Sequence, residues 1–170
     1  QIGRIWQAIE YRQKEFKEDW VIYITTDHGR DATTGKNHGG QSDRERNTWI
    51  ITNAKGLNEY FYEQQPGIVD IMPSLLSWLN INISRERKME IDGIPLTGKL
   101  SAIKPRAEYA NGNIQVSWTA LDKNGSAKIW VCNSNNFKTG GKDNYKLLAT
   151  VPVTRGMATV DVSKMPADFY

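Results

Sequence analysis

The feature that most constrains the fold of this 170-residue chain is a change of pattern near residue 100. Before that point, segments with apolar residues at helical spacing alternate with short apolar runs. After it, short segments of alternating apolar and polar residues are separated by turn residues. Alternating helices and strands are typical of an α/β domain, whereas strands in succession are typical of a β-sandwich. The sequence therefore predicts two domains, residues 1–100 and residues 101–170.

The first region contains two helix candidates and two strand candidates. Residues 2–20 place apolar side chains at helical spacing, and residues 69–79 form a second apolar helix with Asp70 as its expected N-cap. The runs at residues 21–26 and 48–52 are apolar along most of their length rather than alternating. This pattern indicates strands covered on both faces, so we expect part of an α/β fold with a parallel sheet flanked by helices.

The second region contains a series of short strand candidates, namely residues 114–118, 127–132, 146–151 and 158–162. Turn residues lie between them, at Asn111-Gly112-Asn113, Asn124-Gly125 and Gly140-Gly141. This spacing predicts an all-β sandwich. The strand at residues 114–120, with the later strand at 145–151, resembles a fibronectin type III domain. Four or five strands are fewer than a full sandwich needs, so we expect the domain to be truncated.

Both histidines of the chain follow the first strand candidate. Asp27 and His28 come directly after residues 21–26, and a glycine-rich polar loop then leads to His38. Open α/β folds bind ligands at the carboxyl ends of their strands, and Asp oxygen and His nitrogen are ordinary ligands of Zn²⁺. The pattern indicates a metal site. Spacing alone leaves a second interpretation open, because Asp-His can also start a solvated turn.

Three motifs resemble the alkaline phosphatase superfamily, in the branch of type I phosphodiesterases, nucleotide pyrophosphatases and sulfatases. They are the strand, loop and following strand at residues 21–51, the helix at residues 68–79 and the Asp-Gly-Ile-Pro-Leu turn at residues 92–96. Their order is that of the family, and the resemblance covers about residues 1–98. Ser74 stands where the family usually has Thr, and Asn80 stands where Gly is common.

The resemblance implies a metal-dependent hydrolase of phosphoric esters, similar to a phosphodiesterase or nucleotide pyrophosphatase, with a sulfatase as an alternative. It implies two divalent metals, zinc by ligand type, which stabilise the attacking and leaving oxygens of a phosphate or sulfate ester. Asp27 and His28 would ligate the metal nearest the nucleophile, and His38 would ligate the other. Lys36 and Arg30 are candidates for binding the anionic substrate, although cationic side chains in a loop are often merely solvated.

Metal-ligating histidines are usually held in orientation by a hydrogen bond to their other ring nitrogen. Three polar residues near the predicted ligands could accept or donate such a bond, namely Asp31, Asn37 and Asp43.

The resemblance also implies residues that this sequence does not contain. In the family, the nucleophilic Thr or Ser, a metal-binding Asp and an Asp-x-x-x-His pair all lie upstream of these motifs. We therefore expect the chain to be the C-terminal part of a longer enzyme, with no catalytic residue of its own and no activity when isolated. By the same resemblance the location is expected to be periplasmic or secreted.

A different class of function stays open. The β-rich region could be a non-catalytic module that binds a glycan or a protein and is attached to a remnant of an enzyme fold. An upstream nucleophile, or metal in the intact protein, would discriminate between the two.

Composition and charge argue against several partners. The net charge is only +3, and the densest basic stretch, Ser84–Lys88, is interrupted by Glu86, which argues against a nucleic-acid surface. No apolar stretch approaches the length of a membrane span. Cys132 is the single cysteine, so an internal disulfide is excluded. The two apolar strands have only two clear helices to cover them, so we expect self-association, or burial against N-terminal residues missing from this sequence.

Overall fold

The computed structural model describes residues 1–165, which divide into two compact units. The first unit comprises residues 1–82 and 92–97, and the second comprises residues 83–91 together with the chain from residue 98 onward. The division thus falls close to the predicted boundary at residue 100, except that residues 83–91 pack with the second unit. Residues 166–170, at the end of the predicted second domain, lie outside the described residues.

The elements of the first unit are helix α1 (Ile2–Phe16), strand β1 (Tyr23–Thr25), helix α2 (Asp43–Arg46), strand β2 (Ile50–Thr52), helix α3 (Glu59–Glu63), a 3₁₀ turn (Ile68–Asp70) and helix α4 (Ile71–Trp78). Helix α1 ends where Lys17 adopts a left-handed conformation with φ of 58°. It is therefore shorter than the predicted helix at residues 2–20. Among the described residues, no helix is long and apolar enough to cross a membrane.

Strands β1 and β2 pair antiparallel, with Tyr23 opposite Thr52 and Thr25 opposite Ile50. They do not form the parallel pair expected from their apolar sequences. A continuously apolar strand indicates burial on both faces but does not determine the direction of its neighbour. Burial is also incomplete, because Trp49 is 46% exposed and Ile51 is 59% exposed.

Two of the three motif segments are hydrogen-bonded to each other through Asp70 and Ser74, which are both buried. The Asp70 carboxylate accepts from the backbone N–H groups of Gly67 at 2.7 Å and Ile94 at 2.6 Å. The Ser74 hydroxyl donates to the Asp70 carbonyl at 2.6 Å and accepts from the Leu96 N–H at 2.8 Å. Asp70 occupies the predicted N-cap position of α4, but its carboxylate joins two segments instead of capping that helix.

The same contact explains the glycine of the third motif. A Cβ at Gly93 would lie 2.0 Å from the carbonyl oxygen of Val69, so a side chain has no room there. Asn58 completes the attachment, because its side-chain amide donates to the Pro95 carbonyl at 2.8 Å and its N–H donates to the Leu96 carbonyl at 3.0 Å. The motif segments are therefore tied together mainly by hydrogen bonds to backbone atoms.

The elements of the second unit are helix α5 (Arg85–Lys88) and strands β3 (Ala102–Ala110), β4 (Asn113–Ala120), β5 (Ser126–Val131), β6 (Lys146–Pro152) and β7 (Met157–Asp161). Strands β3, β4 and β7 form one antiparallel sheet in the order β3-β4-β7, and β5 pairs antiparallel with β6. The chain as a whole is thus mixed α and β with antiparallel sheets. Inward residues of these strands form the core of the unit: Ile103, Val131, Ala158 and Val160.

Candidate metal site

The first predicted ligands, Asp27 and His28, lie two and three residues beyond strand β1, in a turn that fixes the ring of His28. The Nδ1 atom of His28 lies 2.8 Å from the carbonyl oxygen of Gly29. A carbonyl oxygen only accepts, so this contact requires a proton on Nδ1, and in that tautomer of the imidazole Nε2 is the nitrogen with a lone pair. That Nε2 atom faces the Oδ2 atom of Asp27 at 3.3 Å. The backbone carbonyl of Gly29 therefore orients the ring, instead of one of the nearby polar side chains that were predicted to do so.

The second histidine, His38, lies directly beside His28. The rings of His28 and His38 are stacked, with centroids 4.4 Å apart and planes inclined by 18°. The structure thus brings His38 onto the ring that Asp27 contacts, at the C-terminal side of β1. Within residues 1–165, however, no three or more His, Cys, Asp or Glu side chains form a group that could hold a metal ion. Imidazole nitrogens bind metals in the plane of the ring, so two stacked rings direct their lone pairs within two nearly parallel planes rather than to one point.

The separation of Asp27 and His28 nevertheless suits a shared ion. Two ligand atoms about 2.1 Å from one tetrahedral ion lie about 3.4 Å apart, close to the observed 3.3 Å between Oδ2 and Nε2. A backbone carbonyl on the opposite ring nitrogen is also a common arrangement at metal-ligating histidines. The side chain of Asp27 is 85% exposed, so an ion can reach the pair from solvent. The chemistry and spacing of these two side chains are thus compatible with two of the four ligands of a tetrahedral zinc ion.

Asp31 closes the loop that returns His38. Its carboxylate accepts from the N–H groups of Thr33 at 3.0 Å, Thr34 at 2.6 Å and Asn37 at 2.8 Å, and from the Thr34 hydroxyl at 2.8 Å. These bonds hold the pKa of the Asp31 carboxyl far below its usual range, and the two bonds from Thr34 have the largest effect. Asp31 therefore closes the loop by accepting from Asn37 and from the threonines. Its carboxylate does not orient an imidazole ring, which was the role predicted for it and for Asn37.

The two predicted substrate contacts and Asp43 also have local surroundings of their own. The Arg30 guanidinium donates to the carbonyl of Lys36 at 3.0 Å, which adds a bond across the same loop. The Lys36 side chain is exposed. Asp43 lies in the first turn of α2 and pairs with Arg46 at 2.7 Å, so it is engaged within its own helix instead of with a histidine ring.

Helix α2 supplies a residue that the sequence patterns did not identify. The backbone carbonyl of Glu45 accepts from the Gly29 N–H at 2.7 Å. The Glu45 carboxylate accepts from the Gly40 N–H at 3.0 Å and from the Ser42 hydroxyl at 2.5 Å. These two bonds lower the pKa of the Glu45 carboxyl, and the bond from Ser42 has the larger effect. The Ser-x-x-Glu spacing of Ser42 and Glu45, typical of a helix start, was the available signal.

Helix α2 also explains why a glycine follows His28. A Cβ at Gly29 would lie 1.9 Å from the carbonyl oxygen of Arg44. The turn that carries His28 therefore lies directly against the backbone of α2, and only glycine allows this approach.

The second unit contains a separate cleft, with a volume of about 370 Å³. Its walls come from both sheets and include Ile114, Val116 and Ile129, and its polar lining includes Asp143 and Tyr145. Burial and a hydrogen bond with Glu90 raise the pKa of the Tyr145 hydroxyl to about 12. The cleft thus combines an apolar floor with groups that donate and accept hydrogen bonds.

No family model, curated protein or solved structure matches the chain.

Proposed function

We propose that the first unit is the metal-binding C-terminal part of a phosphoric ester hydrolase of the alkaline phosphatase superfamily, of the phosphodiesterase or nucleotide pyrophosphatase kind. The observation that carries the proposal is the pairing of Asp27 Oδ2 with His28 Nε2 at 3.3 Å, with the other ring nitrogen anchored on the Gly29 carbonyl. The stacked ring of His38 adds the third expected ligand beside it.

In this proposal Asp27 and His28 would hold one divalent ion and His38 would contribute to a second. The rings of His28 and His38 are stacked rather than convergent, so each ring would serve a separate ion. When bound, the metals neutralise charge on the phosphoryl oxygens and on the attacking and leaving groups. Arg30 and Lys36 are the candidates for contacting the anionic ester.

The proposal assigns no catalytic residue to this sequence. No segment of it matches the family's nucleophile motif, so the chain supplies ligands and loop structure while bond cleavage depends on residues that the sequence does not contain. A sulfatase would share the same ligands and is distinguished by its nucleophile. We accordingly propose a phosphate ester as the substrate, and a periplasmic or secreted location, on the resemblance of the three motifs.

A fibronectin type III-like sandwich is the proposed fold of the second unit. Its support is the antiparallel order β3-β4-β7, with β5 and β6 as a second pair and inward residues of both sheets lining one cleft. Such sandwiches have about seven strands, and the described residues contain five in these two sheets. The open cleft is consistent with an incomplete sandwich.

Zinc titration of the purified chain tests the function directly. We expect calorimetry to show binding that is lost or weakened at least about tenfold in Asp27→Ala, His28→Ala and His38→Ala, with Asp43→Ala as the matched control on α2. Absence of zinc binding by the folded wild-type chain would contradict the proposal. The chain should also leave a generic phosphodiester intact, and metal-dependent turnover would contradict the assignment of no catalytic residue.

The cleft of the second unit supports one alternative function, the binding of a glycan by a non-catalytic module. Its apolar floor and the hydrogen-bonding groups of Asp143 and Tyr145 suit the two faces of a sugar. Neutral oligosaccharides titrated against the ¹⁵N-labelled chain should shift the amide signals of Ile129 and Tyr145 if this function holds. If these amide signals do not change at millimolar oligosaccharide, glycan binding in the cleft is excluded.

A further inference from the structure

We infer that Glu45 is a positioning residue that holds both histidine-bearing turns in register, so that His28 and His38 lie side by side. This inference rests on the proposed function, because its consequence is the affinity of the site for metal. Glu45 lies two residues after Asp43, which was a predicted partner of the imidazole rings, but the sequence motifs gave Glu45 itself no role.

The geometry of Glu45 connects two segments that are well separated in the chain. Its backbone carbonyl accepts from the Gly29 N–H at 2.7 Å, directly after His28. Its carboxylate accepts from the Gly40 N–H at 3.0 Å, two residues after His38. One residue thus fixes the backbone beside each histidine, and the rings between these two anchors are stacked at 4.4 Å.

These bonds differ from those of an ordinary helix cap. In a capping box the carboxylate at the third helical position reaches back to the N–H of the N-cap residue. Here the N-cap is Ser42, and the Glu45 carboxylate instead accepts from the Ser42 hydroxyl at 2.5 Å and from the N–H of Gly40, two residues before the cap. The carboxylate therefore extends beyond the needs of α2 to the turn that contains His38.

Both turns pack closely against α2, the first against its backbone and the second against the Glu45 side chain. A Cβ at Gly40 would lie 2.5 Å from a Glu45 carboxylate oxygen, and a Cβ at Gly29 would lie 1.9 Å from the Arg44 carbonyl. Each glycine thus lies in direct contact with α2. Bonds from backbone N–H groups to an ionised carboxylate are stronger than neutral ones, and the lowered pKa of Glu45 is consistent with an ionised side chain at neutral pH.

Four variants of the full chain test the inference: Glu45→Ala, Glu45→Asp, Glu45→Gln and the control Asp43→Ala. Alanine removes the acceptor, and aspartate withdraws the charge by about 1.5 Å. Glutamine keeps one oxygen that can accept from Gly40. Zinc affinity is measured by calorimetry, and contact between the imidazole rings is measured without metal by nuclear Overhauser effects between ring protons.

We expect Glu45→Ala and Glu45→Asp to lose the ring contact and to bind zinc about 10- to 100-fold more weakly. Glu45→Gln should recover most of both, and Asp43→Ala should match the wild type. Helix content by circular dichroism identifies any variant that fails to fold. If Glu45→Ala does not fold, the comparison of Glu45→Asp with the wild type still tests the inference.

Two results separate this inference from the proposed function. Wild-type ring contact and affinity in folded Glu45→Asp would overturn the inference. A wild-type chain that shows the ring contact but binds no zinc would overturn the proposed function, while loss of that contact in Glu45→Asp would still support the positioning role.

Discussion

The balance of hydrogen bonds differs between the two units: long backbone ladders dominate the second unit, although Asp143 there also accepts from the N–H groups of Asn136 and Phe137. In the second unit, strands of five to nine residues pair along most of their length through backbone ladders. In the first unit, the two strands have three residues each. Its longer connections are held by single side chains that bond to backbone groups, and the residues that do this are Asp31, Glu45, Asp70 and Ser74.

This difference has a consequence for mutation. A ladder keeps its backbone bonds when one side chain is changed, because no side chain takes part in them. A carboxylate that accepts from two or more N–H groups leaves all of them without a partner when it is removed, and a buried unpaired donor costs about 1–3 kcal/mol. The unit that carries the candidate metal site should therefore be sensitive at a few polar positions.

The largest expected effect is at Asp70, and it contrasts the two units directly. Asp70→Ala leaves the Gly67 and Ile94 N–H groups without their acceptor, which should reduce the free energy of unfolding of the first unit by about 2–6 kcal/mol. Asp161→Ala, in the second unit, removes an exposed acceptor of Ser163 and should cost less than about 1 kcal/mol. Hydrogen exchange measured by segment checks both. Equal losses of unfolding free energy in Asp70→Ala and Asp161→Ala would contradict the difference proposed between the two units.

A smaller effect is expected at the glycine beside His28. Gly29→Ala places a methyl group against the Arg44 carbonyl and should destabilise the first unit by about 1–3 kcal/mol, with loss of zinc affinity. Gly3→Ala is the control, since its Cβ would meet no described atom outside its own helix within 4 Å and helix α1 should gain about 0.5–1 kcal/mol. Chemical denaturation measures both changes. A neutral Gly29→Ala would show that α2 does not confine this turn.

The exposed apolar surface gives a further contrast. Ile51 in β2 is 59% exposed, and Leu147 in β6 is 47% exposed. We expect the chain to self-associate through the first unit, as its uncovered strands suggest. Ile51→Thr should then weaken association about five- to tenfold, or about 1–1.4 kcal/mol, whereas Leu147→Thr should leave it unchanged. Sedimentation equilibrium gives the constants, and a monomeric wild-type chain would contradict this expectation.

Acid should open the loop of the first unit before it affects the ladders of the second. Hydrogen bonds lower the pKa of Asp31 and of Glu45 in the folded state. Each contributes stability that is present above its unfolded pKa of about 4 and is lost as the pH falls through the lower folded value. Amide signals of Thr34 and Asn37 should therefore change below about pH 4 while those of β4 and β7 persist. If the amide signals of β4 and β7 change at the same pH as those of Thr34 and Asn37, the loop does not open before the ladders.

The sequence predicted the strands of the second unit better than the strand pairing of the first, because turn residues separate them. Strict alternation located β4, and short apolar segments between turn residues located β5 to β7, whereas β3 was missed because Lys104, with φ of 55°, and Pro105 interrupt its pattern at a register shift between Ile103 and Arg106. In the first unit, apolar runs located β1 and β2 but not their antiparallel pairing.

At the candidate site, motif order was sufficient to nominate three residues, which stay predicted ligands, but it did not identify the residues that position them. Asp27 and His28 are adjacent in sequence, so their proximity required no folding argument. The return of His38 depends on how Asp31 closes its loop, and the ring of His28 is oriented by a backbone carbonyl that no side-chain pattern specifies. Glu45 acts through loop geometry, which a search for ligand-type residues near the histidines does not detect.

The central proposal is that the Nε2 atom of His28, beside Asp27, is the ring nitrogen that binds a metal ion. Long-range ¹H–¹⁵N correlation spectra of the imidazole side chains test it most directly, because they identify which ring nitrogen carries the proton. We predict a proton on Nδ1 of His28 near neutral pH, and a large change of the His28 Nε2 signal when zinc is added, with a change at His38 as well. A proton on Nε2, or a His28 Nε2 signal unchanged by excess zinc in the folded chain, would contradict it.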